Sequence, residues 1–303
     1  MYDIIIIGGG AAGMSAAVYA GRSGLKTLVI ESVSAGGQMN LTYEVDNYPG
    51  ISDEPAGSDL SFAMKKHAEK SGAGFTTETV KEIENADGAV KTVVTRKNRY
   101  DTKTIIFATG ANPRKIGAEG EDRFYGMGVS YCATCDGAFF KGQDTAVIGG
   151  GNTAFEDALY LSRFCRTVYL VHRRDGFRAE GKMVEAAKSN PKIKFVLDST
   201  VSRIDGDSAV NGITVKNVQN GSEKTIAVSG VFVAIGRNAN SELAGKYVYL
   251  DSEGFIVTDR YMRTNVKGIF AAGDVRDTPL RQIITAAADG AVAATSAIHY
   301  INR

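Results

Sequence analysis

Tryptophan is absent from this 303-residue chain, and cysteine and histidine are scarce, at three residues each. Two of the cysteines, Cys132 and Cys135, form a C-x-x-C pair. A zinc site takes about four ligands, and no second pair of Cys or His stands at a matching spacing. The pair therefore reads as half a zinc site at most, and better as a redox dithiol, since vicinal cysteines at this spacing exchange electrons as a unit. So low a count excludes a secreted disulfide scaffold and suits a reducing compartment. Cys165 stands alone on an apolar helical face and is expected to be a buried core thiol. Charge of one sign is also lacking: Lys plus Arg is 35 and Asp plus Glu 34, a net charge of +1. That leaves no electrostatic drive toward nucleic acid or a membrane surface. No apolar run approaches the ~18 residues that span a bilayer, and the opening MYDIIIIGGG has no basic n-region. The expected setting is the cytoplasm.

Glycine is plentiful, at 35 residues. The β-branched run 4–7 reads as a strand buried on both faces. It ends in Gly8-Gly9-Gly10-Ala11-Ala12-Gly13, where Gly8, Gly10 and Gly13 satisfy G-x-G-x-x-G. A small-residue helix over 11–20 and a strand over 25–30 follow, and Glu31 stands at that strand's end. Strand, glycine turn, helix, strand and acid together make a dinucleotide site. The glycines allow the tight turn and the close approach to a pyrophosphate, and the acid takes ribose hydroxyls. An acid at Glu31 disfavours a ribose phosphate, so FAD or NAD is expected there.

A second unit repeats the pattern. The strand over 145–148 ends in Gly149-Gly150-Gly151-Asn152-Thr153-Ala154, a G-x-G-x-x-A, followed by an apolar helical face over 154–165 and a strand over 167–171. Here the tip is His172-Arg173-Arg174, with Arg178 just beyond. Arginine at this place suits a ribose 2′-phosphate, hence NADPH. One chain with an acid-tipped and an arginine-tipped turn is most simply a flavoprotein fed by NADPH.

The remaining pattern predicts a helix over 59–70, strands over 74–83, 89–95 and 104–107, a Gly-rich linker over 112–128, a helix ended by Pro191, and strands over 193–197, 212–218, 225–228 and 231–235. After 246 come strands over 254–258 and 269–272 and an Ala-rich helix over 285–298. The fold expected is α/β, with two Rossmann-like dinucleotide-binding domains. Residues 1–112 and 246–303 form a discontinuous FAD domain. Residues 117–238, carrying the C-x-x-C, form an inserted NADPH domain, with 113–116 and 239–245 as crossings.

With GGGAAG, GGQ, CATCDG, GGGNTA, HRRDGFRAE, AIG, AAGDV and RQ in this order, the chain resembles the low-molecular-weight, bacterial-type thioredoxin reductases from end to end. The resemblance implies an NADPH-dependent disulfide reductase, usually homodimeric, whose partner is thioredoxin. It implies that Gly8, Gly10, Gly13, Glu31, Gly37, Gln38, Asn47, Val80, Thr109, Gly110, Gly273, Asp274, Arg281, Gln282 and Ile283 bind FAD. Gly149, Gly151, Asn152, Thr153, His172, Arg173, Arg174 and Arg178 would hold NADPH. Cys132 and Cys135 would be the exchanging pair, with Asp136 as their acid. Because dithiol and NADPH turn share one domain and must both serve one flavin, the inserted domain is expected to rotate about its crossings. The chain departs from the family at Ala11 (often Pro), at Arg237 and Ala239 (usually His and Pro), and at Ala288 and Asp289, where Gly and a neutral residue are expected near the flavin edge. A dithiol oxidase is a rival reading, but it needs no arginine-tipped turn. A reductase for another acceptor and a non-catalytic redox sensor are the other two.

Overall fold

The computed structural model describes residues 1–42, 44–51, 53 and 55–302. Along the chain it forms β1 (Tyr2–Ile7), α1 (Ala11–Arg22), β2 (Thr27–Glu31), α2 (Gly57–Lys70), β3 (Gly74–Thr77), β4 (Val80–Glu84), β5 (Lys91–Thr95), β6 (Arg99–Phe107) and β7 (Ala111–Pro113). Then come β8 (Val129–Ser130), α3 (Ala133–Asp136), β9 (Asp144–Ile148), α4 (Asn152–Leu161), β10 (Thr167–Val171), α5 (Gly181–Ser189) and β11 (Ile193–Val196). The rest is β12 (Ser199–Gly206), β13 (Val210–Asn217), β14 (Glu223–Ile226), β15 (Gly230–Val233), β16 (Arg237–Ala239), β17 (Ile269–Ala271) and α6 (Ile283–Ile301). The chain divides into two compact units, Met1–Asn112 with Asn238–Arg303, and Pro113–Arg237. It passes between them twice, where β7 and β16 pair with each other.

In the first unit β3, β2, β1 and β6 lie side by side in parallel, and β17 adds to the far side of β6. The N-terminal half of β6 instead carries the antiparallel β5 and β4. β1 is fully apolar from Ile4 to Ile7 because both its faces are covered. One face packs under α1 and α6 through small side chains, Ala16, Ala17 and Ala20 against Ala293, Ala294 and Ala297. These helices approach so closely that a Cβ on Gly290 would lie 2.0 Å from the Ala12 carbonyl oxygen.

In the second unit the parallel sheet runs β11, β10, β9, β15, β8, and β12, β13 and β14 form a separate antiparallel sheet. The two parallel sheets share one logic. The first strand lies inside the sheet, the next two extend to one side, and a late strand closes the other. Strand order thus reverses at β1 and at β9, the place where open α/β sheets bind ligands.

Several expectations need correcting. The single strand over 74–83 is two strands, because β3 runs parallel to β2 while β4 must reverse to pair with β5. Residues 112–128 are not a loose linker: Phe124 is buried, and Glu121, also buried, accepts from the amides of Ile116 and Gly117 at 3.0 and 2.8 Å. Residues 254–258 make only isolated bridges, to Leu250 and Arg276. Strand β12 was not expected, since only Val201 and Ile204 in it are apolar. Cys165 is buried as expected, but in the turn beyond α4, with its Sγ 3.4 Å from the Phe140 carbonyl. Residues 239–245 belong with the first unit, tied by Asn240 to Thr109 and Gly110. Among the described residues no helix is long and apolar enough to cross a membrane.

Candidate functional site

At the end of β1 the chain turns sharply through Gly8, whose φ of 108° suits glycine alone. A Cβ at Gly8 would lie 2.3 Å from the Ala108 carbonyl oxygen, and one at Gly13 only 1.9 Å from that of Gly8. A Cβ at Gly10 would meet nothing within 4 Å. The first and third glycines are thus required by the protein's own packing. The second leaves an open cradle at the start of α1, which is what a pyrophosphate approaching the helix amides needs. Glu31 leans over this turn, its Oε2 accepting from the Gly9 amide at 2.7 Å and its Oε1 from the Ser32 amide at 2.6 Å.

Other residues predicted for this site join in pairs. Gly37 begins a short 3-10 turn beside Gly10, at 3.5 Å from its Cα to a built Cβ. Gln38 donates to Asn112 at 2.9 Å, and Asn47 to Gln282 at 3.1 Å. The Thr109 hydroxyl donates to the Asn240 carbonyl at 2.6 Å, beside Gly110 with φ of 71°. Gly273 and Asp274 open a 3-10 turn, Gly273–Val275, after β17. Arg281 lays its guanidinium 4.2 Å over the Phe255 ring, Gln282 caps α6 reciprocally with Thr285, and Ile283 is the first residue of that helix. Val80 enters as a partly buried side chain against the core that holds Ile7 and Ile30.

The second turn repeats the first with a different tip. A Cβ at Gly149 would lie 2.3 Å from the Ala234 carbonyl oxygen, and one at Gly151 would meet nothing. The His172 ring covers Gly150 so closely that a Cβ there would lie 2.3 Å from its Cε1. Burial chiefly, and then the neighbouring Arg173, Arg174 and Arg178, hold the imidazole below its usual range against a hydrogen bond with the Gly176 backbone. The Arg178 amide donates to the Gly150 carbonyl at 2.9 Å, folding the arginine loop against the glycine turn. Asn152 accepts from the Glu180 amide at 2.9 Å, and Thr153 is exposed. Arg173, Arg174 and Arg178 are exposed, and among the described residues no carboxylate pairs with them. Three cations beside an open cradle fit an anion-bearing ribose.

In the same unit Cys132 and Cys135 form a disulfide across the single turn of α3. Asp136, at the end of that turn, accepts from the Ser130 hydroxyl at 2.5 Å. Ser130 is itself buried and accepts from the Cys132 amide at 3.0 Å. Tyr131, just before the pair, donates to the buried Glu121 at 2.9 Å; burial chiefly, and then this bond, push its phenol well up. Sequence reading missed Ser130, Tyr131 and Glu121; the only local signal was the polar S-Y preceding the C-x-x-C. It also missed Asp157 on α4, whose carboxyl is pushed up to about 7, mainly by burial and then by Glu156, against the opposing pull of Arg237.

A family model described as pyridine nucleotide-disulphide oxidoreductase matches residues 2–290. The chain is 46% identical over 303 residues to a thioredoxin reductase of Listeria monocytogenes, covering 99% of this chain and 94% of that one. A solved thioredoxin reductase of Streptococcus pyogenes superposes with a TM-score of 0.94 at 45% identity, covering 100% of this chain and 98% of that one. That of Lactococcus lactis, described as in an FR conformation, gives 0.68 at 44% identity, covering 100% and 99%. The glycine turns, the dithiol and these likenesses agree: the chain belongs to the pyridine nucleotide-disulphide oxidoreductases and, within them, to the bacterial-type thioredoxin reductases, oxidoreductases that use FAD and NADPH.

Proposed function

We propose that this protein moves two electrons from NADPH to the disulfide of a thioredoxin, with Cys132 and Cys135 as the last carriers. The observation that carries this reading is the Cys132–Cys135 disulfide, with Asp136 and Ser130 hydrogen-bonded beside it, in the unit that bears the arginine-tipped turn. The turn with Gly8, Gly10 and Gly13 holds FAD, with Glu31 on its ribose; the turn with Gly149 and Gly151 holds NADPH, with Arg173, Arg174 and Arg178 on the ribose phosphate. Bound FAD would supply the two-electron relay between one hydride of NADPH and the dithiol. The Cys132–Cys135 bond accepts them and opens to a thiol and a thiolate. Asp136, held by Ser130, gives a proton to the departing thiolate and later takes one back. One cysteine then attacks the thioredoxin disulfide, and the other resolves the mixed disulfide. The balance is NADPH, a proton and a thioredoxin disulfide in, and NADP⁺ and a thioredoxin dithiol out.

Steady-state NADPH oxidation with a thioredoxin, with NADH as comparison, tests the reading. Turnover with NADPH, far less with NADH, and none in Cys135→Ser supports it. If NADPH bleaches the flavin but thioredoxin gives no turnover, the acceptor is another disulfide.

The dithiol and the arginine-tipped turn share one unit, while the acid-tipped turn is in the other. Both must serve one flavin, so the proposal includes rotation of the second unit about β7 and β16. Relatives at 45% and 44% identity superpose at 0.94 and 0.68, the spread expected of a family with more than one arrangement of two units. A cross-link that fixes one arrangement should stop turnover yet spare either flavin reduction or disulfide exchange; full activity in the cross-linked protein would overturn rotation. Homodimerisation, carried by the family resemblance, is checked by light scattering.

A further inference from the structure

Between Ala286 and Ala294, helix α6 is built of Ala, Gly and Val except for one charged side chain, Asp289. It is not on the surface: its side chain is 15% exposed and that of its partner Arg276 is 13% exposed. Its Oδ2 accepts from the Gly273 amide at 3.1 Å and from Arg276 Nη1 at 3.4 Å. Arg276 Nε in turn donates to the Thr258 hydroxyl at 2.9 Å, and the Arg276 amide closes the turn onto the Gly273 carbonyl at 3.1 Å. The turn has little freedom otherwise. Gly273 has φ of 77°, and a Cβ on it would lie 2.8 Å from Ala12 Cβ, in the first turn of α1.

Burying a charge is costly, and breaking a buried pair leaves the remaining charge uncompensated. Desolvation does push the Asp289 carboxyl up, against Arg276 and the Gly273 amide, which pull it down. Close packing of α6 on α1 needs only small residues here, so helix packing alone does not account for the acid. Its two hydrogen bonds go to the two ends of one short segment, residues 273–276. That segment carries Asp274, which follows the residue Asp289 holds.

We propose that Asp289 is a positioning residue for the flavin: with Arg276 and Thr258 it clamps the turn after β17 so that Asp274 is presented to the ribityl chain of FAD. This rests on the reading that Asp274 contacts FAD. The Gly273 amide is engaged by Asp289 and so is held back from the ligand. Three side chains from α6, the turn and the 258 segment therefore fix one ligand group without touching the ligand.

The test is the FAD dissociation constant, read by flavin fluorescence on reconstituting apoprotein, beside the melting temperature of the apoprotein. Asp289→Ala should weaken FAD at least tenfold. Asp289→Asn, whose amide oxygen still accepts from Gly273, should stay within about threefold of the parent. Asp274→Ala is the control for the underlying reading. If Asp274→Ala weakens FAD and Asp289→Ala binds within twofold of the parent, the clamp is refuted while the reading stands. If Asp274→Ala itself binds within twofold, the reading fails and takes the clamp with it. An Asp289→Ala variant that melts lower but keeps its FAD constant shows a purely structural pair and also refutes the proposal. Should Asp289→Ala not fold, Arg276→Lys decides: it keeps the charge but cannot reach both Asp289 and Thr258, and should weaken FAD three- to tenfold; an unchanged constant refutes the clamp.

Discussion

The two glycine turns share one backbone and differ in their tips. At the first position a Cβ would stand 2.3 Å from a neighbouring strand's carbonyl oxygen in both units, Ala108 in one and Ala234 in the other. At the second position both are open. They part at the third, Gly13 against Ala154, and at the residue that leans over the turn. In the first unit Glu31 accepts the middle amide at 2.7 Å; in the second the His172 ring covers the middle glycine and the cations stand just beyond it. The shared part is what any pyrophosphate needs. The part that differs is where ribose chemistry and the neighbouring helix are read. The comparison teaches that nucleotide choice is set by a few side chains on a frame that does not itself discriminate.

The sharpest way to break the parallel is at its third position. Gly13→Ala would place a methyl 1.9 Å from the Gly8 carbonyl, with α6 closing the other side of α1, and neither backbone can yield. A loss of about 3 kcal/mol or more is expected, seen as a colourless protein with a lowered melting temperature, although the second unit already carries alanine at this place. A yellow, fully active Gly13→Ala protein would show that the first turn is not the close-packed one described.

The tips come next. Replacing Arg173 and Arg174 together by Ala should raise the NADPH Michaelis constant by roughly 70-fold, about 2.5 kcal/mol for two charge-assisted contacts, and leave the NADH constant unchanged. Equal losses with both nucleotides would mean that the arginines serve the loop rather than the phosphate.

How much of this was legible depended on whether a residue acts through local order. The turns, their strands and the tips Glu31 and His172 to Arg174 lie within residues 2–31 and 144–174, so their spacing declares them. The dithiol was legible for the same reason. The clamp on Gly273 was not, because Asp289, Arg276 and Thr258 meet only once α6 folds back on α1. Residues beyond Arg237 fold with the first unit because Asn240 bonds to Gly110, a contact too distant along the chain for spacing to declare. The strand β12 hid because its partner β13 supplies most of the apolar alternation.

The helices that follow the two turns differ as well. α1 carries no acid, while α4 carries Glu156 and Asp157. The Asp157 carboxyl titrates near 7 in the folded chain, raised by burial from an unfolded value near 3.8. A raised acid favours the fold while protonated, so this group's contribution to stability should be greatest below pH 4, fall as pH rises toward 7, and level off above it. Discounted for partial exposure, the loss between pH 5 and 8 is about 2 kcal/mol. Asp157→Asn should remove that fraction of the pH dependence in urea titrations of the protein. A variant with the parent's slope would show the carboxyl to be solvated.

The smallest effect tests the comparison from its other side. Ala154 is fully buried near the start of α4, and its methyl is the group a Cβ on Gly149 would meet at 2.7 Å. Ala154→Gly makes the second turn match the first. It removes one buried methyl and loosens the backbone, each costing somewhat under 1 kcal/mol, so a loss of about 1 to 1.5 kcal/mol is expected. The NADPH constant should not change, because nothing at this position faces the open cradle beside Gly151. The two helices are also packed differently: α4 meets the short α3 and α5, whereas α6 lies along α1, where Gly290 lets the helices meet at the Ala12 carbonyl. If Ala154→Gly tightened or weakened NADPH severalfold, the third position would belong to ligand binding, and the contrast with Gly13 would be one of nucleotide recognition rather than of helix packing.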